Sequence, residues 1–411
     1  LNVNYSNYDE KEDFLFLDDF IFPENQSLYT HNAVKKYGPN FDFDMEYSTP
    51  IKEGEIEAGY SYELFKDNID FYTEAKILAE NNWEANTDKA NLFIFTQQIH
   101  ALYGTYGNSI GKLHYLAGLR TEQALVSSNL TTLDSIVDNN CFKIYPTLHL
   151  SYVLNESQQI QINYSHRVNR ADSDEHNPFP DYKDSRTIET GNPKLKPEQI
   201  HSVELGYELK KDNYSFIPSL YYRYKFNGFS RVNSIINDSI LLQNYVNLSK
   251  QEALGVEMVL SSSFGNSVDV NLNFNGYYNV IDASNLGLSE SRSAFSWNTK
   301  LLTQIHLATD TNFQINTNYR SSRITTQGSR KPSFVFSCGI RQGFFDRKIS
   351  ATLTISDVFN TLRREREINT RTLEQKTTYK RQSQIIYLGF KYNFGQHVNK
   401  TPDKIKFDDQ I

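Results

Sequence analysis

Long hydrophobic runs are missing from this chain of 411 residues, and its mean hydropathy is −0.58. A membrane-spanning helix needs roughly 18 or more consecutive apolar residues, so the sequence excludes a helical membrane protein. Cysteine is also scarce, because Cys141 and Cys338 are the only two and form no CxxC pair. The sequence therefore supports neither a metal knuckle nor a redox motif, and it leaves open two isolated thiols or one disulfide.

An excess of basic residues is missing as well. The net charge is −7, from 42 Lys and Arg against 49 Asp and Glu, and the two signs are mixed along the chain. Nucleic acid requires a basic stripe, so we expect no nucleic-acid partner. No GxSxG, HExxH, Walker or dinucleotide motif occurs in a suitable context, and the nine histidines are scattered. We therefore expect no enzyme activity, no catalytic residue, no metal site and no cofactor.

A regular alternation is present in the last strand-like segment. One side of this segment is apolar and ends in aromatic rings: Ile386, Leu388, Phe390, Tyr392 and Phe394. The other side is mostly small or hydrophilic: Tyr387, Gly389, Lys391 and Asn393. Successive side chains of a strand point to opposite faces, so the segment predicts a strand with one apolar face and one hydrophilic face.

The same alternation recurs upstream, with asparagine on the hydrophilic side. Between residues 268 and 280 the apolar set includes Val270, Leu272 and Phe274, and Asn271 and Asn273 stand between its members. Asparagine is disfavoured in ordinary strands, and a dry core would gain little from it. A bacterial outer-membrane β-barrel accounts for the pattern, because every second residue faces lipid and the others face a wet lumen.

Short connections rich in turn formers alternate with longer polar stretches. The short ones lie at 50–54, 106–109, 155–157, 211–213, 265–266, 310–311 and 346–347. The long ones lie at 9–40, 66–89, 121–140, 170–198, 233–238, 282–291, 325–331 and 358–377. Tight periplasmic turns and long outer loops are typical of outer-membrane barrels.

This spacing predicts an all-β fold, a transmembrane antiparallel up-and-down β-barrel with about 16 strands. The barrel would occupy residues 1–395, and a polar periplasmic tail would occupy residues 396–411. Pro146 and Pro218 fall inside apparent strands, where each removes a donor from the ladder. We therefore expect a β-bulge at each of these prolines.

Several motifs resemble those of TonB-dependent outer-membrane receptors. GNPKLKPE at 191–198, followed by VELGY at 203–207, resembles the GNPxLKPE … ELGY passage of that family. YVN at 245–247 with GVE at 255–257, and SDVFN at 356–360, resemble two further elements. Gly389, Tyr392 and Phe394 match the terminal signal that the barrel-assembly machinery reads in its clients. The likeness spans about residues 40–395 and is to the barrel portion of Bacteroidota-type receptors, the outer membrane beta-barrel family.

The resemblance implies a fold and an activity. Members of the family have a barrel of about 22 strands, an amino-terminal plug domain and a TonB box. It therefore implies that this chain is a partial barrel in the lipid of the bacterial outer membrane. The whole receptor would take up a scarce solute with energy from TonB, which it would contact through a missing amino-terminal segment. Because the chain begins at Leu1 without a methionine or a signal peptide, we expect a mature product or a fragment of something longer.

Two alternative functions stay open. The chain could be a plugless barrel that serves as a scaffold subunit of a surface or secretion complex, with a surface lipoprotein as partner. It could also be a passive, porin-like channel, since about 16 strands suffice to close around an aqueous lumen.

Candidate site residues lie on the hydrophilic faces of the strands and in the long loops. Six side chains could touch a solute or a plug, or could pair with neighbouring strands: Arg167, Glu204, Arg223, Glu257, His306 and Arg320. The acidic stretch 172–181 could contact ligand, could hold calcium through its oxygens, or could simply fold over the rim. The charged run 363–367 is interpreted as a solvated loop with internal salt bridges.

Overall fold

The computed structural model describes residues 1–20, 26–77, 82–87, 89–184, 186–237, 240–286, 291–308 and 310–394. The expected tail at 396–411 lies outside these residues. In chain order the strands are β1 Asn2–Phe20, β2 Gln26–Ile51, β3 Gly54–Ile77, β4 Glu84–Ala85, β5 Asn91–Ile110, β6 Leu113–Leu130, β7 Ser135–Asp138, β8 Cys141–Asn155, β9 Gln158–Asn169, β10 Asp181–Asp184, β11 Thr187–Thr190, β12 Glu198–Lys211, β13 Tyr214–Phe226, β14 Phe229–Ile236, β15 Ile240–Asn247, β16 Lys250–Phe264, β17 Val268–Asp282, β18 Arg292–Ala308, β19 Thr311–Arg320, β20 Arg323–Thr325, β21 Gly328–Arg330, β22 Ser333–Phe344, β23 Ile349–Ser356, β24 Arg364–Asn369, β25 Glu374–Tyr379 and β26 Ile385–Tyr392.

Helical structure is limited to short segments. The helix α1 covers Ser173–His176, and 3-10 turns cover Thr131–Leu133 and Ser284–Leu286. None of the helices in the described residues is long and apolar enough to cross a membrane.

One large sheet of 18 strands forms a curved wall. The short strands β4 and β7 attach to β3 and β6, and the other sixteen pair in antiparallel fashion with their neighbours along the chain. The predicted all-β, up-and-down architecture with about 16 strands is therefore confirmed. Among the described residues no ladder joins β1 to β26, so this part of the wall is an open arc.

The register sorts apolar and polar side chains onto opposite faces. Leu260, Leu272 and Leu301 stand opposite one another on neighbouring strands and form part of the outer face. Asn275 and Asn298 are paired on the other side, which we call the lumen face. Side chains of β26 on the outer face are widely exposed, with Phe390 at 74%. Such exposure of large apolar groups fits a lipid environment, where it carries no hydration cost.

The strands are longer than the sequence predicts at one end of the wall. The stretches 9–40 and 66–89 are largely β-structure, because β1 pairs with β2 along its whole length and β3 continues to Ile77. Both faces of these extensions carry polar groups, so the alternation that marks a membrane strand fades although the ladder continues. We call this the long-loop end of the wall and the opposite end the short-turn end.

The short turns agree with the sequence in all but one case. Residues 106–109 were expected to turn, but they lie within β5, which continues to Ile110. The reversal comes instead at Gly111, whose φ of +60° suits a residue without a side chain. The other six expected turns overlap junctions between paired strands of the wall.

The bulges expected at the two prolines are wrong. Pro146 stands in regular register opposite Leu119, and the ladder from β8 to β9 begins one residue later, at Thr147. Pro218 pairs regularly with Met258, while the ladder to β12 is interrupted beside it. In both strands the edge at which proline cannot donate an N–H faces a gap in the ladder. The strand therefore stays in register without the extra residue of a bulge.

The long-loop end carries two further sheets of four strands each. The first loop sheet consists of β10, β11, β15 and β14, and it includes a parallel pairing of β11 with β15. The second loop sheet consists of β20, β21, β24 and β25, all antiparallel. Their strands come from four different connections between wall strands, so loops far apart in sequence share backbone ladders.

Candidate functional site

The six candidate residues all lie on the lumen face, but they do not form one site. Glu257 and Arg320 belong to a single row of cross-strand neighbours that runs through Asn275 and Asn298. Arg223 lies further along the wall, where its guanidinium group is 4.2 Å from the centre of the Tyr221 ring. The structure therefore spreads the predicted residues along the wall.

The other three candidates lie in different parts of the lumen face. Glu204 stands opposite Asn163 and Tyr221, and Arg167 stands opposite Ile200. His306 is at the short-turn end, where Nδ1 contacts Asn312 Oδ1 at 2.5 Å and Nε2 contacts Asp269 Oδ2 at 3.1 Å. The residues that face His306 belong to the wall itself.

A buried ion-pair network on the lumen face was missed by the sequence analysis. Glu122 is only 5% exposed and accepts hydrogen bonds from Arg120 Nε at 2.6 Å and Arg170 Nη2 at 2.5 Å. A buried carboxylate requires such pairing. Because Arg170 begins the long loop after β9, the network fixes the start of that loop against the wall.

The acidic stretch 172–181 folds into the mouth of the lumen. Ser173 Oγ donates to the buried Asp67 Oδ2 at 2.5 Å, and Lys36 Nζ contacts Asp174 Oδ2 at 2.8 Å. The His176 ring stacks on Phe95 with 5.1 Å between ring centres. Burial lowers the pKa of His176 to about 4, so this loop residue is neutral at pH 7. The loop is thus docked by polar and aromatic contacts.

An apolar cluster supports this docking. Ile69, Phe93, Phe95, Val126 and Leu130 are buried together, and Phe179 from the acidic loop packs against them. Phe93 and Phe95 alternate with Ile94 along β5, so both rings point to the lumen side. Burial of one such aromatic side chain stabilises by roughly 1.5–3 kcal/mol.

The family-like motifs at 191–198 and 245–247 brace this loop against the first loop sheet. Asn192 Nδ2 donates to the carbonyl oxygen of Tyr245 at 3.1 Å, and Asn247 Oδ1 accepts from Lys196 N at 2.9 Å. Gly191 passes so close to the helix that an added Cβ would lie 2.5 Å from the carbonyl oxygen of Glu175. The helix α1, the segment 191–196 and the strand β15 thus meet at this point, and Gly191, Asn192 and Asn247 allow them to pack closely.

The SDVFN motif closes the end of β23 in a similar way. Asp357 is 1% exposed, and its carboxylate accepts from Thr361 N, Leu362 N and Ser383 Oγ at 2.6–3.0 Å. Burial alone would raise the pKa of Asp357, but these hydrogen bonds outweigh burial and hold the pKa below its ordinary value. The carboxylate thus fixes both ends of the last long connection, just outside the wall strand.

A polar cavity of about 440 Å³ lies between the wall and the second loop sheet. Its walls combine lumen-face residues of β18 and β19 with residues of the last long loop, among them Asn298, Lys300, Asn318, Arg320, Arg364 and Tyr379. This volume is within the range of small-molecule sites. No group of three or more His, Cys, Asp or Glu side chains near enough to hold a metal occurs in the part of the chain that the structure describes.

The two cysteines lie on separate strands. Cys141 begins β8 and Cys338 lies within β22, and both are free thiols. The interpretation as two isolated thiols is therefore confirmed.

Comparison with solved structures gives the same architecture. The copper transporter OprC superposes with a TM-score of 0.61 and 10% identity over 92% of this chain and 61% of its own. The ferric citrate transporter FecA superposes with a TM-score of 0.63 and 11% identity, over 94% of this chain and 58% of its own. BauA, the ferric preacinetobactin receptor of Acinetobacter baumannii, superposes with a TM-score of 0.62 and 12% identity, over 95% of this chain and 60% of its own. At these identities the likeness concerns the fold, and this chain spans about three fifths of each neighbour's length.

Sequence comparison identifies the family. No curated protein matches the chain. The family described as outer membrane protein beta-barrel family matches residues 1–392, nearly the whole chain. Together with a wall of strands that are apolar outside and polar inside, this match shows that the chain belongs to the outer membrane protein beta-barrel family and resides in the bacterial outer membrane.

Proposed function

We propose that this chain forms the wall and outer gate of a TonB-dependent receptor that captures a scarce solute and passes it across the outer membrane. The observation that carries the proposal is the interlocking of the outer loops over a polar cavity on the lumen face. A passive channel conducts best through an open mouth, whereas a receptor needs ordered loops that hold its solute. The eight strands of the two loop sheets and the helix α1 serve this purpose better than flexible loops would.

The energy source and the remaining parts follow from the same proposal. A complete barrel of about 22 strands is too wide to stay empty and needs a plug. We propose that further strands and a plug domain complete the wall, and that an amino-terminal segment contacts TonB. The similar structures are named for copper, ferric citrate and ferric preacinetobactin. We propose that the solute of this chain is scarce and is held first by the loops.

The six lumen candidates have different roles in this proposal. Arg320 lines the cavity and would contact the solute as it leaves the loops. Glu257 shares its row and would steer the solute or the plug along the wall. The remaining four, Arg167, Glu204, Arg223 and His306, would orient the plug through the lumen face.

Uptake in a TonB deletion strain tests the function. The complete protein is expressed in isogenic strains with and without TonB, and a disulfide trap links its amino-terminal segment to TonB. We expect TonB-dependent growth on the limiting solute and a trapped adduct. Unchanged uptake without TonB, together with steady conductance in planar bilayers, would show a passive channel. Stoichiometric co-purification with a surface lipoprotein and no uptake would show the scaffold function.

A further inference from the structure

Arginine side chains form a row across the second loop sheet. Arg323 pairs with Arg330 across β20 and β21, and Arg330 pairs with Arg366 across β21 and β24. Directly opposite residues of an antiparallel pair share one face and lie about 4.5–5.5 Å apart at Cβ. Arg364 lies two residues before Arg366 and therefore points to the same side. We call these four residues the arginine row.

The acidic residues of the same segment point to the other face. Glu365 accepts from Arg363 Nε at 2.8 Å, and Glu367 Oε2 contacts Lys331 Nζ at 2.5 Å. The interpretation of 363–367 as a loop with internal salt bridges is therefore correct only for the pair of Arg363 with Glu365, because residues 364–367 belong to the strand β24 and Glu367 pairs outside the run. Within the residues that the structure describes, no ion pair reaches the arginine row. Like charges placed directly opposite destabilise a sheet, so the row costs folding free energy.

A fifth arginine approaches from the first loop sheet. Arg231 contacts Glu189 Oε1 at 3.1 Å. Burial lowers the pKa of Arg330 and of Arg366, and the nearby charge of Arg231 lowers both further. The Nε atom of Arg366 is buried and has no hydrogen-bond partner among the described residues. Five guanidinium groups from the two loop sheets are therefore close together, and only some of their N–H groups donate hydrogen bonds to the described residues.

The arginine row is continuous with the cavity on the lumen face. Arg364 and its cross-strand partner Tyr379 belong to the same face of the sheet and line the cavity. Lys300 and Arg320 line the cavity from the wall, and its one carboxylate, that of Asp357, is already bound by Thr361, Leu362 and Ser383. The charge of the whole concavity is therefore positive.

We propose that the arginine row is the capture site for a solute with two or more carboxylate or phosphate groups. Planar guanidinium groups bind both kinds of oxoanion through paired hydrogen bonds, which explains arginine where lysine would give charge alone. The spacing of the row across three strands suits an anion with several acidic groups, because a single group can satisfy only one or two arginines. The inference rests on the proposed function, since it names the chemical class of the solute.

Binding by the purified complete protein in detergent tests this site. The probes are pyrophosphate and tricarballylate, with glucose as a neutral control, and isothermal titration calorimetry gives Kd at low and high salt. We expect both anions to bind, glucose not to bind, and affinity to fall as salt rises. The double variant Arg330→Gln/Arg366→Gln should lose about tenfold in affinity per arginine. The control Lys331→Gln removes one positive charge from the opposite face and should bind as the unaltered protein does.

A stability measurement separates a binding role from a structural one. If the row exists for binding, removing two of its charges relieves repulsion, and the double variant should melt at a higher temperature than the unaltered protein. A lower melting temperature with unchanged anion affinity would overturn the proposal, because the arginines would then only support the sheet. Equal loss of affinity in Lys331→Gln would also overturn it.

Phosphates of lipopolysaccharide offer the same chemistry from another source. Detergent-solubilised lipopolysaccharide is therefore titrated against the tricarballylate complex. Failure to displace tricarballylate would support a solute site, and displacement by lipopolysaccharide in the absence of any binding of free pyrophosphate would overturn it. These measurements need no TonB, so failure of the protein to couple to TonB would refute the proposed function and leave the anion site intact. TonB-dependent uptake by a protein that binds neither anion would refute only this inference.

Discussion

The side-chain amide of Gln327 takes the place of a strand neighbour for the backbone of Asn233. Gln327 Oε1 accepts from Asn233 N at 2.7 Å, and Gln327 Nε2 donates to the Asn233 carbonyl oxygen at 2.8 Å. Both residues are almost fully buried. This pair joins the second loop sheet to the first, so it links connections almost 100 residues apart in sequence.

Replacing Gln327 with alanine should separate the two loop sheets. The backbone N–H and C=O of Asn233 would lose their partners, at a local cost of about 1–3 kcal/mol. We expect faster hydrogen exchange in β14 and β21 and unchanged exchange in the wall strands. Gln342→Ala at the short-turn end is the matched control and should leave both loop sheets protected. Equal exchange in the two variants would contradict the bridging role of Gln327.

The docking of the acidic loop should weaken as pH falls. Burial holds the pKa of His176 at about 4, below the ordinary value of 6.5, so the undocked loop binds a proton in this interval and the docked loop does not. The contribution of His176 to the free energy of docking is therefore fully present above pH 6.5 and is lost as pH falls toward 4. The total loss is on the order of 3 kcal/mol. Hydrogen exchange of residues 172–197, corrected for the intrinsic rate at each pH, measures the change.

His176→Phe provides the control for this pH dependence. Phenylalanine keeps the stack on Phe95 but cannot be protonated, so docking of this variant should not weaken between pH 7 and pH 5. Burial raises the pKa of the neighbouring Glu175, so this carboxyl group binds a proton more readily in the docked loop and strengthens docking as pH falls, opposite in sign to His176. An equal weakening of docking in His176→Phe would therefore refute the role of His176.

A matched pair of substitutions should identify the lipid and lumen faces of β17. Leu272 lies in the outer row with Leu260 and Leu301, and the next residue, Asn273, points to the lumen face. Leu272→Arg places a charge in hydrocarbon, which costs about 2–4 kcal/mol near the bilayer midplane, whereas Asn273→Arg places it in water. We expect the heat-modifiable gel band to weaken only for Leu272→Arg. Equal bands would show that the two faces meet the same solvent.

The end of β26 should govern insertion of the barrel. Phe394 is 90% exposed and its ring packs edge-on against Tyr392, with 4.4 Å between ring centres. Apart from Tyr392, the described residues leave this ring largely uncovered, so we predict that the assembly machinery binds these aromatic rings together with Gly389. Phe394→Ser should reduce the amount of protein in outer-membrane fractions. Phe345→Ser removes another widely exposed ring, from a short turn, and should have no such effect.

The wall was predictable where lipid and water act on alternate residues. The alternation around Phe390 and around Phe274 gave the correct faces, because only one side of each strand can meet hydrocarbon. The same reasoning failed for residues 9–40, since strands that rise above the membrane meet water on both sides and lose the alternation. It also misplaced one turn, because Gly107 and Asn108 resemble a turn yet lie within β5.

The candidate site was predictable only in part. Lumen-face residues such as Arg320 follow from strand period, and the register confirms their face. The pairing of Arg330 with Arg366 depends on two loops meeting in space, and nothing local in the sequence determines that contact. One signal was nevertheless present: Arg364, Glu365, Arg366 and Glu367 alternate in charge, and a strand separates such charges onto opposite faces.

The side-chain amides of Asn275 and Asn298, which are cross-strand neighbours on the lumen face, have a consequence for how freely a solute would travel in the proposed receptor. A side-chain amide both donates and accepts hydrogen bonds and carries no fixed charge. In the proposed receptor, a solute that passes this pair can exchange one hydrogen bond for another of similar energy, so this step of its path has a low barrier. The affinity of the loops at the entrance and the rate of passage along the wall could then be altered separately by substitution.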